Sequence, residues 1–213
     1  RACMAANVTR RLTTEIQEAI TREDKSLDIF LIHSEGGDGK TCLLRQVQFL
    51  LQTIPGAIGA DLIDLYHSEQ NSSTGLSDAI AESFASTNAF RRYTEARRKM
   101  EEQRAKGLVG KDFEAQQKEC AEAFQLCYDA LSARKRIVLF LDTAERMRYE
   151  EDSVQRLCNL SVEGTTVKKW LLAHLAHSRN TVCVIAGRPE IQSYLAEALE
   201  EVAADHPHAT FTS

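Results

Sequence analysis

The sequence predicts a three-layer α/β/α domain on a mainly parallel, five-stranded sheet. Three observations carry this. Short, continuous apolar runs alternate with stretches of helical periodicity, as strands covered on both faces require. The first run leads straight into a glycine-rich loop and then a helix. The strongest run, Ile137 to Leu141, ends in Asp142. At 213 residues, 43% hydrophobic and 27% charged, the chain can bury one sizeable core.

The elements follow in order. Ile16, Ala19 and Ile20 recur at helical spacing, so Thr13 to Arg22 is expected to be a helix. Asp28 to His33 reads as a buried strand. Thr41 to Gln52 reads as a helix with Leu43, Leu44, Val47, Leu50 and Leu51 turned to the core, and Pro55-Gly56 breaks the chain after it. Ala60 to Tyr66 is the second expected strand, and residues 76–86 the next helix. Phe90 to Arg134 is charged and predicts a helical insertion, split in two near Gly107 and Gly110. Its second half carries Phe113, Cys120, Phe124, Cys127 and Leu131 as one packed face. Arg136 to Asp142 is the clearest strand. Val154 to Leu160 and Val167 to Ser178 read as helices, with Trp170, Leu171, Leu172 and Leu175 in the core. Thr181 to Ala186 is a strand, Pro189 opens a helix running to Ala204, and a fifth strand begins near His208.

Ligands of such sheets sit at the carboxyl ends of the strands, and the polar motifs fall there. Ser34-Glu35-Gly36-Gly37-Asp38-Gly39-Lys40-Thr41 fits G-x-x-x-x-G-K-[ST], the P-loop or Walker A pattern, with serine in place of the first glycine. Glycines let backbone N–H groups turn inward around phosphate, and the helix N-terminus adds its dipole. Glu35, Gly36, Gly37, Asp38, Gly39, Lys40, Thr41 and Cys42 are therefore expected to line a nucleotide site. Lys40 would reach the β- and γ-phosphates, and Thr41 would hold Mg²⁺. Asp38 is tolerable beside phosphate only if its side chain points to solvent. Cys42, in the first helical turn, reads as a small packed residue before it reads as a reactive thiol.

Asp142 has the Walker B arrangement, a carboxylate at a strand tip that serves the magnesium. Glu145 stands three residues on, where a carboxylate can orient the attacking water. Arg188 follows the strand ending at Ala186. The helix dipole disfavours a cation there, which hints at a role with the γ-phosphate.

On Ile32 to Leu44, Ile137 to Glu145 and Val182 to Glu190, the sequence resembles the STAND class of P-loop ATPases. That class is related to AAA+ proteins and includes the NACHT and NB-ARC domains. The Leu-Asp-Thr-Ala-Glu and Ala-Gly-Arg-Pro-Glu segments carry more of the resemblance than the loop, which many families share. The resemblance implies a P-loop NTPase fold and an ATP-dependent signalling switch with slow, Mg²⁺-dependent ATPase activity. By the same resemblance Lys40 and Thr41 bind nucleotide and metal, Asp142 and Glu145 serve magnesium and water, and Arg188 holds the sensor-1 position. Its partners would be ATP and, in a longer protein, further copies or effector domains.

Other classes are weighed by what they require. A small GTPase needs D-x-x-G and N-K-x-D; the chain has Asp142-Thr143-Ala144-Glu145 and no N-K-x-D. A nucleotide or small-molecule kinase would use Phe90 to Arg134 as a lid. A non-hydrolytic scaffold could use the basic stretch from Arg91 to Lys106, but interleaved Glu95, Glu101 and Glu102 make it read as a solvated helix face. A net charge of −5 argues against nucleic acid as a partner. No apolar run reaches membrane-spanning length. Six cysteines without a C-x-x-C pair read as reduced thiols of a cytoplasmic protein. His174, His177, His206 and His208 lack the company a zinc site needs. The start and end of the sequence suggest a single domain, residues 1–213, cut from a longer chain.

Overall fold

The computed structural model describes residues 2–107, 111–148, 166–206 and 208–213. The strands are β1 (Leu27–His33), β2 (Ala57–Asp64), β3 (Arg136–Asp142), β4 (Thr181–Gly187) and β5 (Ala209–Thr212). They form one sheet in the order β2-β3-β4-β1-β5, and every neighbouring pair is parallel. The helices are α1 (Ala2–Thr21), α2 (Lys40–Leu51), α3 (Ser73–Ser83), α4 (Arg91–Ala105), α5 (Lys111–Ser132), α6 (Val167–His177) and α7 (Glu190–Asp205).

Strand side chains alternate between faces, and each face meets its own helical layer. Phe30, Val138, Phe140, Val182 and Val184 pack with Ile16, Ile20, Leu44 and Val47 of α1 and α2. Ile29, Leu31, Leu139, Leu141 and Ile185 pack with Ile80, Phe124, Leu171 and Leu195 from the helices of the other layer. The continuous apolar run of β3 exists because both layers need it. Each such side chain contributes about 1.5–3 kcal/mol relative to exposure.

At the end of the sheet away from the loop, polar groups are buried. Arg136 of β3 reaches across β4 to pair with Asp28 of β1, and donates to the carbonyl of Ser26 at 3.1 Å. Asp28 also accepts from Arg22 at 2.7 Å and from Thr210 of β5 at 2.6 Å. Burial lowers the Arg136 pKa, and the Asp28 carboxylate opposes that shift.

Several expectations need correction. α1 begins well before Thr13. β2 runs from Ala57 to Asp64 rather than from Ala60 to Tyr66. Leu65 stays buried, which prolonged the apolar pattern, but the Tyr66 N–H turns back to Asp64 Oδ1 at 3.0 Å and the ladder ends. Leu50 is only half-buried. The helix expected at Val154 to Leu160 and the break at Gly110 lie outside the described residues. Gly107, with φ +87°, ends α4 in a conformation that glycine permits.

The described residues of the Phe90–Arg134 segment form α4 and α5, and both pack against the main core. Phe90, Tyr93, Met100, Phe124, Tyr128 and Leu131 belong to the main core, and the Tyr128 hydroxyl bonds that of Thr181 in β4 at 3.0 Å. Their outer surface carries the i,i+4 pairs Arg91–Glu95, Arg97–Glu101 and Arg98–Glu102, so the three acids of the basic stretch are each paired along the helix. His174 is a core residue: its ring stacks on Trp170 and burial pushes its pKa down to about 3. Cys120, Cys127 and Cys183 are buried and free, and burial pushes the Cys183 thiol up to about 12. Among the described residues no helix is long and apolar enough to cross a membrane.

Candidate functional site

The Ser34–Gly39 loop joins β1 to α2 at the carboxyl end of the sheet. Gly37 and Gly39 have φ of +88° and +85°, values that side chains rarely allow. Nothing lies within 4 Å of where a Cβ would stand at Gly36, Gly37 or Gly39, so the loop faces open space. Ser34 is not among the residues with positive φ, so serine is compatible with this position. Its N–H approaches the Gly187 carbonyl at 3.4 Å, tying the loop to the tip of β4. The Asp38 side chain is exposed, as its charge requires. Cys42 is exposed as well, which corrects the reading of a packed residue.

Lys40 lies over its own loop. Its ammonium donates to the carbonyls of Ser34 and Glu35 at 2.7 and 2.8 Å and to the Ser34 hydroxyl at 3.2 Å. All three donors are engaged. A phosphate can replace these oxygens as a stronger, charged acceptor. Next to it the Thr41 hydroxyl donates to Asp142 Oδ2 at 2.5 Å, across the width of β4. A hydroxyl and a carboxylate converging in this way are the oxygen donors that Mg²⁺ prefers. Both the loop and this pair therefore fit a phosphate ligand with its metal.

Glu145 and Arg188 form a second unit. Glu145 is only 8% exposed. Its Oε2 accepts the Arg188 backbone N–H at 3.0 Å, and its Oε1 lies 3.4 Å from the Arg188 guanidinium. Gly187 makes the approach possible: a Cβ there would stand 3.0 Å from Glu145 Oε2. The fold thus brings Lys40, Thr41 and Asp142 into one cluster and joins Glu145 to Arg188 in another.

Sequence reasoning passed over three features. Asp64 ends β2 in register with Asp142. The expected strand ran on to Tyr66, so Asp64 read as a mid-strand residue; an acid closing an apolar strand was the available signal. Thr143 has φ +57° and donates through its hydroxyl to Asp64 Oδ1 at 2.7 Å. A cavity of about 340 Å³ reaches the carboxyl end of β1, lined by Leu12 of α1, Ile32 and His33 of β1, and Thr212 of β5. No local pattern announces it, because its walls come from three distant segments. A larger cavity of about 540 Å³ lies among α3, α4, α5 and α6, and none of the loop or strand-tip residues lines it.

Loop, sheet order and layers define the P-loop NTPase fold. No family model matches the chain, and no curated protein matches it. Among solved structures it is similar to Cdc6p from Pyrobaculum aerophilum, at a TM-score of 0.52 and 16% identity. The match covers 98% of this chain and 45% of that one, so the chain spans less than half of the protein it resembles. At this identity the likeness is one of fold.

Proposed function

We propose that this chain is the ATP-binding domain of a STAND-like, AAA+-related signalling switch, with slow Mg²⁺-dependent hydrolysis. The observation that carries the reading is the Thr41–Asp142 hydrogen bond of 2.5 Å, which links the phosphate loop to the β3 tip. In this reading Lys40 exchanges the carbonyls of Ser34 and Glu35 for phosphate oxygens. The loop N–H groups from Gly36 to Cys42 surround the phosphates. Thr41 and Asp142 would hold Mg²⁺, which neutralises charge on the phosphate oxygens when bound. The cavity beside His33 suits the base, being concave and partly apolar.

Hydrolysis depends on Glu145. Its carboxylate orients water only when it turns from the Arg188 N–H, so the Glu145–Arg188 pair acts as a latch and turnover is slow. The kinase reading loses its lid to the packing of α4 and α5. Assembly with further copies or effector domains, and a cytoplasmic location, belong to the same proposal.

Calorimetry on Lys40→Ala tests it. Losing charge-assisted hydrogen bonds of about 1.5–3 kcal/mol each should remove measurable Mg²⁺–ATP binding. Affinity unchanged from the parent would sink the phosphate-site reading.

A further inference from the structure

We infer that Asp64 is a positioning residue: acting through Thr143, it holds the Asp142 carboxylate in the orientation that Thr41 meets. This rests on the proposed metal role of Asp142 and deepens it.

The register of β2 against β3 sets Asp64 beside Asp142, so two strand tips present carboxylates at one corner of the site. Two neighbouring carboxylates repel unless a cation is shared nearby. Between them stands Thr143. Its φ of +57° is a conformation that β-branched residues rarely adopt, and such a backbone persists only where its surroundings hold it.

Two hydrogen bonds hold it here. The Thr143 N–H donates to Asp142 Oδ1 at 2.8 Å, and its hydroxyl donates to Asp64 Oδ1 at 2.7 Å. The Asp142 carboxylate is thereby divided: Oδ1 takes the Thr143 N–H and Oδ2 takes the Thr41 hydroxyl. The φ of Thr143 fixes its side chain relative to the peptide plane that carries its N–H, so the hydroxyl bond to Asp64 helps hold that plane, and the N–H in it, toward Asp142. Asp64 is itself fixed. Its N–H donates to Gln70 Oε1 at 2.9 Å, and the Leu65 N–H extends the β2–β3 pairing to the Asp142 carbonyl at 3.1 Å. The chain Asp64–Thr143–Asp142–Thr41 thus runs from the edge strand to the phosphate loop, each link a hydrogen bond. Asp64 need only accept a hydrogen bond, so its acceptor oxygen matters more than its charge.

The test compares Asp64→Ala, Asp64→Asn, Thr143→Val and Thr143→Ser with the parent and with Asp142→Ala. Mn²⁺ affinity is read by electron paramagnetic resonance in the presence of ATP. ATP affinity in EDTA is read by calorimetry, and folding by thermal melting. Exchange of the Thr143 amide is followed by NMR in metal-free, nucleotide-free protein. Asp64→Ala and Thr143→Val should weaken Mn²⁺ by about tenfold, as loss of a group that orients a metal ligand does. Both should speed Thr143 amide exchange and leave ATP affinity in EDTA unchanged. Asp64→Asn and Thr143→Ser, which keep the acceptor and the hydroxyl, should restore both readouts. The inference is overturned if Asp64→Ala leaves Mn²⁺ affinity and Thr143 exchange at parent values. It is equally overturned if Asp64→Asn loses as much as Asp64→Ala, because charge would then be what matters. Failure of the underlying reading looks different: Asp142→Ala would then leave Mn²⁺ affinity untouched.

Discussion

Replacing Glu145 with glutamine separates the clamp on Arg188 from the water-orienting role proposed for the same carboxylate. The residue is 8% exposed, and its Oε2 accepts the Arg188 N–H at 3.0 Å. Glutamine keeps the shape and an acceptor oxygen. It converts a charge-assisted hydrogen bond, about 1.5–3 kcal/mol, into a neutral one of about 0.5–1.5 kcal/mol. The guanidinium contact adds little, because the Arg188 side chain is 60% exposed and solvent screens it. Relief from burying a charge offsets part of the loss, leaving about 1 kcal/mol. For a chain of this length that lowers the melting temperature by about 2–4 °C. Nucleotide affinity should stay within about twofold of the parent, since the loop and Thr41 are untouched. Phosphate release, measured with saturating Mg²⁺–ATP, should fall by about 10²–10⁴-fold, the usual contribution of a positioned acid or base. If turnover stays within about threefold of the parent while melting drops as expected, Glu145 is only a clamp on the β4 tip. The water-orienting role would then be refuted.

The buried pair at the other end of the sheet makes a prediction about stability alone. Asp28→Ala strands the Arg136 guanidinium, which is 4% exposed, and should cost about 3–5 kcal/mol by urea unfolding. Adding Arg136→Met should recover part of that; a double variant as unstable as the sum of the singles would contradict a coupled pair. His174 should make stability pH-dependent. Its pKa falls from 6.5 to about 3 on burial, so between these values the unfolded chain binds a proton that the folded chain does not. Stability from this group is therefore intact above pH 6.5 and declines as pH drops, by up to about 1.4 kcal/mol per pH unit. A stability difference between the parent and His174→Gln that stays flat from pH 7 to pH 5 would count against this.

What was legible in the sequence follows the reach of each signal. β3 matched its expected limits, Arg136 to Asp142, because an apolar run covered on both faces is visible without knowing its neighbours. β4 lay within one residue of expectation for the same reason, and α2 did so because its apolar residues recur at helical spacing. β2 was misplaced at both ends, because an edge strand pairs on one side only and its limits depend on where β3 stops. Cys42 read as packed because a small thiol in a helix usually is; only the open face of the first α2 turn shows it exposed.

The sequence by itself determined the alternation of strand and helix, the parallel three-layer class, and the loop that carries Lys40 and Thr41. These are local properties: periodicity, glycine content and the chemistry of a helix N-terminus act over a few residues. Only the tertiary structure decided the order β2-β3-β4-β1-β5, which sets Asp142 within 2.5 Å of Thr41 and Asp64 beside Asp142. It also decided that Glu145 lies buried against Arg188 and that Thr143 bends through φ +57° to bond Asp64. The physical reason is distance along the chain. Asp64 and Thr143 are 79 residues apart, and Thr41 and Asp142 are 101 apart. Their meeting is specified by the packing of the whole sheet and by no pattern within any one segment.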